Sequence, residues 1–167
     1  MKWLAVACCC CTLQAADLVA QAPAARVIVG NQITGSSQTD TKGQTVTETA
    51  TLRFGDSASP ATFTVDFAVR RPLRGPASPA TVVDVIVTEQ RADDDAPDMA
   101  LRVNDEPLPV VTRLRSRRSL VATIPAAEFD RIARAGAVSD RTFDVTLQFG
   151  RTQIALLRAT ADRWFGR

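Results

Sequence analysis

The chain has 167 residues, with 20 Lys and Arg against 18 Asp and Glu, four Cys, no Tyr and no His, for a net charge of +2. A balance this close to neutral excludes a strong global field drawing it to nucleic acid or an anionic membrane. The missing histidine excludes Ser-His and Cys-His catalytic pairs, and the length is ample for one hydrophobic core.

Residues 1–16 read as an export leader: Lys2 is a positive n-region, Trp3 to Leu13 an uncharged apolar run, and Ala15 and Ala16 offer small residues for cleavage. The run is shorter than the roughly 20 residues a permanent membrane helix needs. Cys8, Cys9, Cys10 and Cys11 are all the cysteines of the chain and fall inside it. Adjacent cysteines diverge in direction and lack the paired spacing and second ligand set of a zinc site. The alternative is a lipid attached at Cys8, which would tether the protein to a membrane; otherwise no membrane contact is expected. The expected location is periplasmic or extracellular, and the mature domain would then be free of cysteine. No cofactor is expected.

Residues 17–25 read as a flexible tether and 26–167 as one globular β-rich domain. "RVIV" (Arg26 to Val29) is a first strand, and "GNQITGSSQTDTKGQT" is expected to be a loop. "ATFTVDFAV" alternates Ala61, Phe63, Val65, Phe67 and Val69 with Thr62, Thr64, Asp66 and Ala68, a period of two. "TVTETATLRF" alternates more loosely before it, and "GDSASP" between the two suits an antiparallel hairpin. Arg70 to Pro79 is proline-rich and reads as a crossing loop.

Thr81 to Glu89 is a nearly continuous β-branched run, hence an inner strand. "RADDDAPD" is a solvated acidic loop. "MALRV" and "LPVVTRL" around "NDEP" suit a second hairpin, with Pro107 and Pro109 favouring an edge. "SLVATI" is a further strand. In "PAAEFDRIARAG", Pro125 suits a first helical turn, Phe129, Ile132 and Ala133 share a face, and Gly136 suits the end. "TFDVTLQF" alternates again, with Phe143, Val145, Leu147 and Phe149 inward. From Thr152, Ile154, Leu157, Ala161 and Trp164 recur at helical spacing, although "RTQIAL" also suits the return strand of a hairpin turning at Gly150. The expected fold is α+β: an antiparallel sheet or open barrel of six to eight strands with two short helices near the C-terminus. An all-β sandwich is the runner-up.

Few constellations carry chemistry. Gly30 and Gly35 have phosphate-loop spacing, but Ser36 stands where the motif needs Lys. Lys42, the lysine beyond the leader, lies in a polar stretch with nothing to bury it and lower its pKa. Asp66, Asp84 and Asp144 lie on expected strands, where two converging carboxyls would suit a hydrolase; Asp84 interrupts a β-branched run, so it is either buried, with a raised pKa and an arginine partner, or outward-facing, at an edge or in a structural ion pair. Asp93, Asp94, Asp95 and Asp98 offer oxygens for calcium, as in an adhesion module, without the spacing of an EF-hand.

The densest charge is "TRLRSRRS". Arg113 and Arg115 are expected on one face of a strand with Leu114 opposite, and Arg117 and Arg118 in the turn that follows. Four guanidinium groups so close together suit an acidic protein, glycan or lipid head group. The more ordinary reading is a positive edge strand that blocks sheet-to-sheet aggregation, paired with the nearby Asp93 to Asp98 loop. Nucleic acid is not expected, because no aromatics interleave with the bases. Together with the absent catalytic residue types, this predicts an exported, non-enzymatic binding or envelope-associated domain.

Overall fold

The structure is a computed structural model and describes residues 26–30, 32–39, 45–56, 59–73, 80–89, 99–142 and 145–166. It is α+β and mainly β, with two open sheets and two helices. The first sheet runs β1 (Arg26–Val29), β11 (Val145–Gln148), β10 (Val138–Thr142), β6 (Ala100–Val103), β7 (Glu106–Pro107). The second runs β2 (Gln32–Thr39), β3 (Thr45–Asp56), β4 (Ser59–Pro72), β5 (Val82–Glu89), β9 (Ser119–Pro125), β8 (Thr112–Ser116). Every pairing is antiparallel except β1 with β11, which is parallel. The helices are α1 (Ala126–Arg134) and α2 (Arg151–Phe165).

The alternation in β4 sets the second sheet's inner face. Phe63, Val65, Phe67 and Val69 are buried while Thr64 and Asp66 are only half-buried on the other side. Val83, Val85 and Val87 of β5 and Leu120, Ala122 and Ile124 of β9 continue the same buried layer. Both helices and the first sheet contribute to it, through Phe129 and Ile132, Leu157 and Trp164, Leu101 and Leu147. A run of rings threads this core: Phe54 lies 5.4 Å from Phe149, Phe67 is 5.1 Å from Phe129, and Phe129 is 5.4 Å from Trp164. Burying each such ring contributes about 1.5–3 kcal/mol, so the core alone can hold a fold without disulfides.

Several elements depart from expectation. The "QITGSSQT" stretch is a strand, not a loop: β2 pairs with β3 in unbroken register from Gln32↔Arg53 to Thr39↔Val46. Its residues 34–39 are all exposed, so pairing and not burial holds it. The expected crossing loop from Arg70 begins later, because β4 continues to Pro72 opposite Thr45. The "NDEP" hairpin is small. Asn104 and Asp105 adopt positive φ (50° and 66°) in its two-residue turn, and β7 pairs with β6 through only Glu106 and Pro107. The chain then crosses to the other sheet, where "TRLRS" pairs with β9. β10 arises where no strand was expected, whereas α2 begins at Arg151, in keeping with the helical spacing from Thr152 and not with a return strand.

The corner between β1 and β2 is set by close packing at Gly30. Its N–H donates to the Gln148 carbonyl at 2.9 Å, and a Cβ at this position would lie 2.0 Å from Gln153 Oε1. Gln153, 1% exposed, accepts from the Gly150 N–H at 3.2 Å and donates to the Arg53 carbonyl at 3.3 Å. One buried amide thus joins the start of α2 to β3 and the Gly30 corner. The glycine spacing that resembled a phosphate loop is therefore used for packing at Gly30.

Candidate functional site

The four arginines lie together on an outer strand and the turn beyond it. β8 is the last strand of the six-stranded sheet, and Arg113, Arg115, Arg117 and Arg118 are all exposed. The connection to β9 is the two-residue turn Arg117–Arg118 between the paired Ser116 and Ser119. Neither turn residue has positive φ, unlike Asn104 and Asp105. Turns of that kind match strand twist poorly. The register shifts between Leu114 and Ser116, so Arg115 is the extra residue of a bulge. The Arg118 N–H donates to Ser116 Oγ at 3.3 Å, bracing the turn.

This geometry corrects one detail. Arg113 is opposite Val121 and so shares the sheet's outward face, but the bulge removes the simple alternation that would have set Arg115 beside it. Leu114 opposite Leu120 remains 56% exposed, because the core does not extend under β8.

Electrostatically the turn is positive. The Glu89 N–H donates to the Arg118 carbonyl at 3.0 Å, at the end of the neighbouring β5. Burial pushes the Glu89 carboxyl above its ordinary range, and the charge of Arg118 opposes that shift. Among the described residues no carboxylate pairs with Arg113, Arg115 or Arg117. The acidic residues Asp93 to Asp98 lie outside the described residues, as do Cys8, the leader, the tether, Lys42 and Asp144.

The two described candidate carboxylates sit elsewhere on the outward face. One row of directly opposed residues runs Thr51, Asp66, Ile86, Val121, Arg113 across five strands. Asp66 accepts from Thr51 Oγ1 at 2.5 Å. Asp84 is half-buried; it accepts from Thr123 Oγ1 at 2.7 Å and lies 3.7 Å from the Arg70 guanidinium. Asp66 faces Ile86, two residues along from Asp84, so the two are diagonal neighbours. Each carboxylate is engaged by its neighbours, and neither lines either of the two described depressions.

The structure also holds ionisable groups that periodicity did not single out. Asp140 on β10 is fully buried, and its Oδ1 accepts from the Ala100 N–H at 3.1 Å while Oδ2 has no partner among the described residues. Burial raises its pKa to about 7, with the Ala100 hydrogen bond opposing. Thr142, two residues on and on the same face, also buries a hydroxyl with no partner among the described residues. Near β2, a depression of about 350 Å³ is lined by Gly35, Ser36, Ser37, Glu48 and Arg163. Among the described residues no group of three His, Cys, Asp or Glu side chains gathers as a metal site, and no helix is long and apolar enough to cross a membrane.

Comparison with known proteins adds no kinship: no family model matches the chain, and no curated protein or solved structure matches it. Function must therefore be argued from the residues themselves.

Proposed function

We propose that this chain is an exported, non-enzymatic binding domain of the cell envelope or its surroundings, and that it engages anionic groups through Arg113, Arg115, Arg117 and Arg118. One observation carries the reading: these arginines are exposed at a sheet edge that no described strand beyond β9 pairs with, and no described carboxylate pairs with Arg113, Arg115 or Arg117. Guanidinium forks present two parallel N–H donors, which match carboxylate, sulfate and phosphate oxygens. The bulge at Arg115 twists the strand, so the edge resists pairing with another strand while its side chains remain accessible. The export half of the reading rests on Lys2, the apolar run Trp3 to Leu13 and the small residues Ala15 and Ala16. Acidic protein, acidic glycan and anionic lipid surface share the chemistry required.

The test replaces all four arginines with Gln and compares retention on a sulfated glycan, on vesicles with and without anionic lipid, and on proteins of the native envelope. The unaltered chain is expected to bind one of these and to release as salt rises, with the variant at least about tenfold weaker. Equal binding by the two proteins would refute the assignment.

A further inference from the structure

The four outer edges of the two sheets are not alike. β7 has two residues and β1 has four, too short to template much pairing. β8 has five, carries arginines and is bulged. β2 has eight residues, and its register with β3 is unbroken. Its sequence, "QITGSSQT", holds no charge and no proline. Among the described residues β2 pairs only with β3, so half of its backbone N–H and C=O groups face outward along roughly 27 Å of strand. Residues 34–39 are all exposed, and a Cβ on Gly35 would meet nothing nearer than the Thr49 carbonyl at 3.9 Å. Among the described residues β2 carries no bulge, charge or proline, and α2 lies beside it, with Arg163 flanking Gly35, Ser36 and Ser37.

We propose that β2 is a self-association edge, at which two copies of this chain pair antiparallel about a two-fold axis. Two copies of this uncharged edge meet without repulsion, which favours a second copy as the occupant. Pairing β8 with β8 would set two sets of arginines against each other across a bulge. Pairing β2 with β2 over Thr34–Thr39 sets only Gly, Ser, Thr and Gln opposite one another, and Thr–Ser pairs across antiparallel strands are favourable. A two-fold contact uses the same edge on both copies and so closes at a dimer instead of growing into a fibre. One strand pair buries less than the ~1,200 Å² of a stable interface, so the dimer is weak and reversible. It joins both six-stranded sheets into one, with the β8 edges about 50 Å apart at ~4.8 Å per strand spacing. Two arginine edges on one particle would raise avidity for a repeated anionic surface. The self-association stands independently of that anion-binding reading.

Sedimentation velocity of the purified chain from ~5 μM to ~1 mM, in reductant so that Cys8 to Cys11 cannot cross-link, tests the proposal. The unaltered chain is expected to shift from monomer to dimer within this range. Ser36→Lys and Ser36→Glu, each at an exposed site facing Thr49, are each expected to weaken association at least about tenfold, because the two-fold axis brings like charges together. An equimolar mixture of the two variants is expected to associate more tightly than the unaltered chain. The double variant Arg113→Gln/Arg115→Gln is expected to dimerise normally. A monomer at every concentration overturns the proposal and leaves the edge to an extended segment of another protein. Association undiminished by Ser36→Lys, a mixture no tighter than its parts, or loss of dimer in the arginine variant also overturns it.

Discussion

The indole N–H of Trp164 donates to the Glu48 carboxylate at 2.8 Å, joining the last turn of α2 to β3 across 116 positions of sequence. The ring is 1% exposed and lies 5.4 Å from Phe129, so this side chain is both an apolar anchor and a polar tie. Glu48 also lies 3.5 Å from Arg163 and 4.0 Å from Arg71, and Arg71 in turn donates to the Trp164 carbonyl. Glu48→Ala leaves a buried indole donor without its acceptor, and a loss of about 1–3 kcal/mol is expected. Glu48→Gln keeps an acceptor and should lose less. Urea unfolding followed by tryptophan fluorescence measures both.

Asp140 makes stability depend on pH in an unusual direction. Its folded pKa of about 7 lies above the ordinary 3.8, so the folded state holds the proton more tightly than the unfolded chain. Its contribution is full below about pH 4 and is lost as pH rises through about 7. Asp140→Asn keeps an oxygen for the Ala100 N–H and removes the ionisation. The variant is expected to gain stability relative to the unaltered chain by a few kcal/mol between pH 4 and 8. Thermal melts across that range would show a flatter profile for the variant.

Two glycines should respond oppositely to alanine. Gly30→Ala drives a methyl into Gln153, whose amide is held by Gly150 and Arg53, so a loss of about 1–3 kcal/mol is expected. Gly35→Ala enters open space in a strand and should be neutral or slightly stabilising. Paired denaturation curves check the contrast.

How much was legible beforehand depended on whether burial wrote the pattern. β4, β5, α1 and most of α2 show their periods because alternate or every third and fourth residues enter the core, as at Phe63, Val65 and Phe67 or Phe129 and Ile132. β2 shows no such pattern because neither face at residues 34–39 is buried; β3 supplies its register. β10 was hidden for the opposite reason, since two of its three inward positions are Asp140 and Thr142, polar residues where the pattern calls for apolar ones. The arginine cluster was legible because its members are nearly contiguous. The bulge at Arg115 was not, because it follows from how a turn without positive φ meets the sheet's twist. The Glu48–Arg71–Trp164 cluster joins residues far apart in sequence, and no spacing announces it.

The proposed export leader makes a separate prediction. Mass spectrometry of the protein recovered from its native compartment should find a chain beginning at Ala16 or Asp17. A lipid-modified Cys8 at the N-terminus would replace the cleaved leader with a membrane anchor.

The most direct test of the binding edge is residue-by-residue. Backbone amide resonances of the labelled chain are followed by NMR while a short sulfated oligosaccharide or a phosphorylated head-group analogue is titrated in. Shifts are expected to concentrate on residues 112–121, spanning β8, the Arg117–Arg118 turn and the start of β9, and to fade as salt is raised. Saturable shifts centred elsewhere, or shifts on that segment that persist unchanged after Arg113, Arg115, Arg117 and Arg118 are replaced by Gln, would contradict it.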